Sequence, residues 1–357
     1  MSRFSKIAEK LEQYGLDAMM ITSEPNRLYA AEFESSDGMA VVTKNGSYFF
    51  TDSRYIEAAQ KKVEGAEIRE NTVETTMTDL ANEVIEKHGI RKLGFEDGSA
   101  TVKSYKGWQE KLKDCELLPA TELLMELRSV KDQKELDKLI AAQRIAEKAL
   151  KDVLDFIKPG RTEKEISAYL QYRMLCHGAE KMSFEPIVVS GANGSMPHGV
   201  PSEKPVAEGE FLTMDFGCVW DGYCSDMTRT VAVGYVTEEM EKVYHTVLKA
   251  QLAGIAAAKA GVTGKAVHEA GAQVIGDAGY GDYFGHGFGH GVGVEIHEAP
   301  RASVLNEKPL PANAVISAEP GIYIPGKFGV RIEDVIIIGE KESRSIMEAP
   351  KELLILK

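Results

Sequence analysis

At 357 residues the chain is long enough for two domains, and 43% apolar with 27% charged residues is the balance of an ordinary globular protein with sizeable cores. A formal net charge of −13 argues against nucleic acid and against an anionic membrane surface as partners, since both are held by Lys and Arg. No stretch approaches the roughly 18 apolar residues of a membrane span, the opening "MSRFSKIAEKLEQYGLDAMM" lacks the apolar core of a secretion signal, and Cys115, Cys176, Cys218 and Cys224 form no C-x-x-C pair or disulfide framework; a reduced cytoplasm is the expected location.

Helical and strand-like patterns alternate at first. "RFSKIAEKLEQYG" is helical and stopped by Gly15, and "DAMMIT" is a short apolar strand. "GMAVVT" and "SYFFT" flank Lys44-Asn45-Gly46, where Asn-Gly signals a hairpin because both residues tolerate positive φ. With the strand "KLGFE" between helical patterns, residues 1–128 are expected to form an α/β domain. The stretch "LRSVKDQKELDKLIAAQRIAEKALKDVLDFIKPG" reads as one long amphipathic helix ended by Pro159-Gly160, and Thr162 with Glu165 supplies a capping box for the next. The domain boundary is therefore expected near 125–132, with 129–357 as a second domain. There, strand-like runs mix with helices at 237–260 and 264–278, which Gly261 and Gly279 stop.

"EFLTMDFGCVW" and "YCSDMTRTVAV" flank Asp221-Gly222, a second hairpin signal. With a two-residue loop, Trp220 pairs with Tyr223, Gly217 with Asp226 and Asp215 with Thr228. Asp215 and Asp226 then share a face as diagonal neighbours, roughly 7–8 Å apart at Cα unless a bulge intervenes. Carboxylates so placed repel unless a cation lies between them. Further on, "AVISAE" carries Glu319 and "GVRIEDVIII" carries Arg331 and Glu333 on one face by the strand period of two. Charge inside an apolar strand needs a partner, so either an Arg331–Glu333 ion pair or a metal is expected.

The stretch "HGFGHGVGVEIHE", residues 286–298, concentrates His286, His290 and His297 among glycines. It is no zinc-protease helix, because H-E-x-x-H fails at Arg301. It is no dinucleotide loop, because no register of its glycines spells G-x-G-x-x-G. "GIYIPGKF" nearly spells a phosphate loop, but Phe328 replaces the required hydroxyl. A glycine-rich strand presenting imidazoles remains. His286 and His290 share one strand parity and His297 has the other, and each is read either as a core residue or as a site residue. His88, His177, His245 and His268 lie in helical contexts and receive no functional role. Cys224 shares parity with Asp226 and is either a small buried residue or a neighbour of the cluster.

Together, "TDSRY", "SGANGSMPHG", "MDFGCVWDGYCSDMTRT", "GHGFGHGVGVEIHE", "SAEPGIY" and "GVRIED" resemble, in order and across the whole chain, the proline-specific branch of the pita-bread metallopeptidases, aminopeptidase P and prolidase. The resemblance implies a creatinase-like α/β N-terminal domain and an α+β pita-bread catalytic domain. It implies two divalent ions, manganese foremost with cobalt, iron or zinc as alternatives, on Asp215, Asp226, His290, Glu319 and Glu333. Asp226 and Glu333 would bridge, Asp215 would hold one ion, and His290 with Glu319 the other. It further implies Glu319 as general base, His286 and His297 as contacts to the scissile group, His198 lining the pocket and Arg331 orienting the ligands. The implied substrate is a peptide with proline second, cleaved before that proline by a homodimeric hydrolase. Arg301 is read equally as a carboxylate contact for a dipeptide or as a loop cation. Glu32 stands where relatives carry glycine, which bears on the rim and on substrate length. A non-catalytic binding scaffold on the same fold is the alternative, and the intact ligand set argues against it.

Overall fold

A computed structural model describes residues 2–357, and the chain divides into two units, 1–128 and 129–357. In the first unit, α1 (Arg3–Lys10) is capped by Ser2, and the chain turns through Gly15 at φ +64° into β1 (Ala18–Ile21). Then come α2 (Glu24–Ala31), β2 (Met39–Thr43), β3 (Gly46–Thr51), α3 (Ile56–Lys62), β4 (Glu67–Glu70), α4 (Met77–His88), β5 (Lys92–Phe95), α5 (Val102–Lys111), β6 (Glu116–Pro119) and α6 (Thr121–Ser129). The strands form one mixed sheet in the order β4-β3-β2-β1-β5-β6, with apolar clusters on its two faces. The β2–β3 hairpin forms, but Thr43 pairs with Gly46, so its loop is Lys44-Asn45 rather than Asn45-Gly46. The Thr43 hydroxyl, which donates to the Gly46 carbonyl and accepts from the Asn45 amide, holds that turn without positive φ.

The expected single long helix is interrupted after α6, at Val130-Lys131. Lys131 leaves the helical path: its amide donates to the Asn313 carbonyl at 3.0 Å and its buried ammonium meets Glu298 at 2.6 Å. Asp132 then starts α7 (Gln133–Phe156) in a capping box with Glu135. Next come α8 (Glu163–Cys176), capped by Thr162 and Glu165, and the strands β7 (Lys181–Met182), β8 (Ile187–Ser190), β9 (Glu210–Phe216), β10 (Cys218–Trp220), β11 (Tyr223–Cys224) and β12 (Met227–Val233). After α9 (Glu238–Ala257) and α10 (Gly264–Asp277) the chain is mostly strand: β13 (Gly289–Gly291), β14 (Glu298–Ala302), β15 (Val315–Ala318), β16 (Gly321–Ile324), β17 (Phe328–Arg331), β18 (Asp334–Ile337), β19 (Arg344–Ser345) and β20 (Ile355–Leu356). Two larger sheets, β20-β12-β9-β8 and β14-β13-β15-β18-β19, carry most of them. α7 and α8 bury Ala146, Val153, Leu170 and Met174 against Leu212, Met214 and Val231, which seals one face of the first sheet. Phe288 locks the histidine segment. Its ring fills a socket between α9 and α10, where a Cβ on Gly254 would lie 2.1 Å from the ring.

The run "GVRIEDVIII" is not one strand: β17 pairs with β16, whereas β18 pairs with β15 in another sheet. The chain crosses between sheets at Ile332-Glu333, so strand parity does not carry from Arg331 to Glu333. No helix among the described residues is long and apolar enough to cross a membrane.

Candidate metal centre and substrate cavity

The Asp221-Gly222 turn has positive φ at both residues (+45° and +76°), and Trp220 pairs with Tyr223 and Thr228 with Asp215. The pairing expected from a two-residue loop thus runs without a bulge from the tip to β12. The ladder opens only at Gly217 and Ser225-Asp226, where Ser225 Oγ takes the Cys218 amide at 2.9 Å. Gly217 is essential to that opening, because a Cβ there would lie 1.9 Å from the Ser225 carbonyl oxygen.

All the predicted site residues line one cavity of about 1120 Å³: Asp215, Asp226, His290, Glu319 and Glu333, with His198, His286, His297, Arg301 and Arg331. The donors come from both sheets, with Asp215 on β9, Asp226 just before β12, His290 on β13, Glu319 just after β15 and Glu333 just before β18. Asp226, His290 and Glu333 each offer an atom within 4.8 Å of the others. His290 Nε2 lies 3.1 Å from Glu319 and 3.5 Å from Asp226. His290 Nδ1 faces the Gly291 carbonyl at 3.1 Å, which fixes its proton there and leaves Nε2 for the carboxylates. The Ser317 hydroxyl accepts the His290 amide and donates to Glu319, while Thr228 donates to Glu333 at 2.8 Å.

Arg331 pairs with Asp215 at 2.5 Å and not with Glu333, so of the two alternatives the Arg331–Glu333 pair does not form. Its remaining donors reach Thr228 Oγ1, Tyr323 Oη and the Pro197 carbonyl. Tyr323 in turn donates to His286 Nε2 at 3.0 Å, since His286 Nδ1 is spent on the Gly287 carbonyl. Both ring nitrogens of His286 are therefore engaged within the protein. His297 stands edge-on to His290, their ring centroids 4.2 Å apart, because residues 292–297 are irregular and parity does not govern them. Cys224 is buried with Val292 and Val335, its sulfur toward the Val294 carbonyl, and is not among the cavity residues.

Burial pushes Asp226 and Glu333 well above the usual carboxylate range, and the neighbouring carboxylates push them further. Burial also raises Asp215, against the pull of Arg331. Glu319 goes the other way. Burial would raise it, but the bond and charge of His290, with Arg331 and His286, hold it at about 2. His290 is raised in turn to about 9, Glu319 and Glu333 overcoming the burial that would lower it. Burial lowers His286 and His297. Among the described residues, the buried Asp215 Oδ1 and Glu333 Oε1 have no hydrogen-bond partner. Orphaned, mutually repelling oxygens beside an outward-facing imidazole nitrogen are what a hard divalent cation satisfies, so this donor set fits one.

Sequence reasoning assigned nothing to Tyr323, Thr228, Ser317 or His268, the last of which takes the Phe288 amide at the cavity wall. Tyr323 was legible. "GIYIPGKFGVR" is a hairpin about Pro325-Gly326-Lys327, and its register puts Tyr323 and Arg331 on one face.

Residues 137–340 match metallopeptidase family M24, and residues 3–130 match the creatinase/prolidase N-terminal domain. An uncharacterized peptidase of Bacillus subtilis is 42% identical over 99% of this chain and 100% of its own length. Among solved structures, an Xaa-Pro dipeptidase from Bacillus anthracis superposes with a TM-score of 0.95 at 40% identity, covering 99% of both chains. An X-Pro aminopeptidase from Thermotoga maritima superposes with a TM-score of 0.91 at 33% identity, covering 99% of this chain and 100% of its own. The chain belongs to metallopeptidase family M24 and carries that family's creatinase/prolidase N-terminal domain, so its two units are the mixed α/β domain and pita-bread domain of a peptidase.

Proposed function

We propose that the chain hydrolyses the bond preceding proline at the N-terminus of a peptide, using two divalent ions, manganese foremost. The observation that carries this reading is the convergence in one cavity of a five-residue donor set with orphaned oxygens and of two imidazoles, His198 and His297, that make no side-chain hydrogen bond among the described residues. Relatives named for Xaa-Pro cleavage, similar along the full chain, supply the substrate class.

Divalent ions on Asp215, Asp226, His290, Glu319 and Glu333 would make water acidic enough to attack a carbonyl near neutral pH. Glu319 takes the proton of the attacking water and passes it to the leaving proline nitrogen. His198 and His297 face the cavity with no side-chain hydrogen bond among the described residues and can donate to the developing oxyanion. His286, with both nitrogens engaged, instead steadies Tyr323 and through it Arg331, which holds Asp215. The Arg301 side chain lines the same cavity without a carboxylate partner among the described residues and suits the C-terminus of a dipeptide. A homodimer belongs to this reading, and sedimentation analysis tests it.

The decisive assay removes metal by chelation, restores manganese, and compares Ala-Pro with a longer Ala-Pro peptide. Activity that vanishes and returns supports the proposal, and proline cleavage that survives full chelation refutes it. A preference for Ala-Pro that Arg301→Ala abolishes identifies a dipeptidase, and equal or better cleavage of the longer peptide identifies an aminopeptidase.

A further inference from the structure

Glu163 is a fully buried carboxylate at the first turn of α8, away from the donor set. Five donor atoms converge on it. Ser190 gives its amide at 2.7 Å and its hydroxyl at 3.0 Å, Ser202 gives its amide at 3.0 Å and its hydroxyl at 2.6 Å, and Asn193 Nδ2 bridges both oxygens. Backbone bonds from the Glu163 amide to the Lys204 carbonyl and from the Lys164 amide to the Ser202 carbonyl close the same neck. Lys204 sits nearby, but its ammonium goes to Glu210 at 2.6 Å and to Ser190 Oγ, so the Glu163 oxygens are filled by neutral donors alone.

Ser190 and Ser202 are the two ends of a loop, and that loop carries His198 into the cavity. His198 is exposed and its ring has no side-chain hydrogen bond among the described residues, so only the backbone of its loop sets its position. That backbone is held at the neck by Glu163, at the Pro197 carbonyl by Arg331 at 3.3 Å, and at Ser195, whose hydroxyl takes the Gly326 amide at 3.4 Å. We infer that Glu163 is a positioning residue for the reaction, a clamp that fixes the neck of loop 191–201 and so aims His198 at the substrate. The inference rests on the peptidase reading above. Without the carboxylate, the amides of Ser190 and Ser202 lose their acceptors, the neck is left to its two backbone bonds, and the loosened segment no longer fixes the imidazole between its tethers at Ser195 and Pro197. A displacement of about 1 Å in such a group costs on the order of 100-fold in rate.

The test is a double-mutant cycle on manganese-loaded protein cleaving an Xaa-Pro peptide. Glu163→Gln lowers kcat/KM by about 10- to 100-fold, and manganese affinity by titration calorimetry stays at the parent value. In the His198→Ala background the same substitution costs nothing further, because nothing is left to aim. Ser202→Ala, which removes one donor, gives a smaller loss with the same non-additivity and carries the cycle if Glu163→Gln does not fold. Losses that multiply across the cycle, a parallel loss of metal affinity, or full activity in a folded Glu163→Gln protein overturn the inference. If His198→Ala is itself fully active while Glu319→Ala is dead, the clamp falls and the peptidase reading stands. If the parent with manganese cleaves no Xaa-Pro peptide, both fall.

Discussion

His290 and Glu319 form an ion pair in which the imidazolium proton does part of the work of a cation, balancing a cluster that is otherwise the buried carboxylates of Asp215, Asp226 and Glu333 and the partly buried one of Glu319. The sign of the pH dependence follows. His290 folds with a value of about 9 against an ordinary 6.5, so its contribution is complete below pH 6.5 and is lost as pH rises through about 9. Asp226 and Glu333, raised above the carboxylate range, also hold protons more tightly when folded and lose stability in the same direction. Glu319, lowered to about 2, acts oppositely, but only in acid, where stability falls as pH drops toward 2. Metal-stripped protein should therefore melt at a lower temperature at pH 9 than at pH 6.5. Manganese binding should release protons, visible as a calorimetric enthalpy that tracks the buffer's ionisation heat. A melting temperature flat across that range, or no buffer effect, counts against these shifts. Glu319→Ala should reduce kcat by about 10²- to 10⁴-fold, the usual share of a general base, and a metal-loaded variant with near-parental kcat would exclude that role. At this scale the sequence was informative where chemistry is local: acid pairs, clustered imidazoles and an arginine in an apolar run are visible as letters. The Arg331–Asp215 pairing and the Tyr323–His286 bond were not read, because they join segments far apart in the chain.

Turns made the elements legible. Counting outward from Asp221-Gly222 gave the pairing that brings Asp215 opposite Thr228, because a two-residue loop leaves only one register. Counting failed where the backbone changes sheets, at Ile332-Glu333, and where side chains replaced the expected turn chemistry, as Thr43 does beside Lys44-Asn45. The unbroken helical rhythm from 127 to 160 hid the interruption at Val130-Lys131, though Asp132 and Glu135 spelled a capping box within it. The opening at Gly217 suggests a sharp test. Gly217→Ala would press its methyl into the Ser225 carbonyl and spread the two strands on which Asp215 and Asp226 stand. Manganese affinity, measured by titration calorimetry, should drop by about 10- to 100-fold while far-ultraviolet circular dichroism stays near that of the parent. Parental affinity would mean that the hairpin spacing does not set the donor geometry.

Over the whole molecule the five candidate donors all lie in residues 129–357, and none comes from the first unit. Metal loading should therefore slow amide exchange in β9, β12, β15 and β18 and leave the sheet of residues 18–119 unchanged. Equal protection in both units would show that the ions stabilise more than the unit that holds them. Length and composition indicated two bodies, and the motif order indicated the family. The sequence could not indicate how many tasks fall to Arg331. One guanidinium holds Asp215, Tyr323, Thr228 and the carbonyl of Pro197, and so ties the donor set to the loop that bears His198. That limits redesign. A loop grafted between Ser190 and Ser202 to accept a different peptide must offer a carbonyl where Pro197 does. A graft without one would loosen Asp215, and an attempt to retarget the enzyme would emerge from screening as a demand for more of the divalent ion.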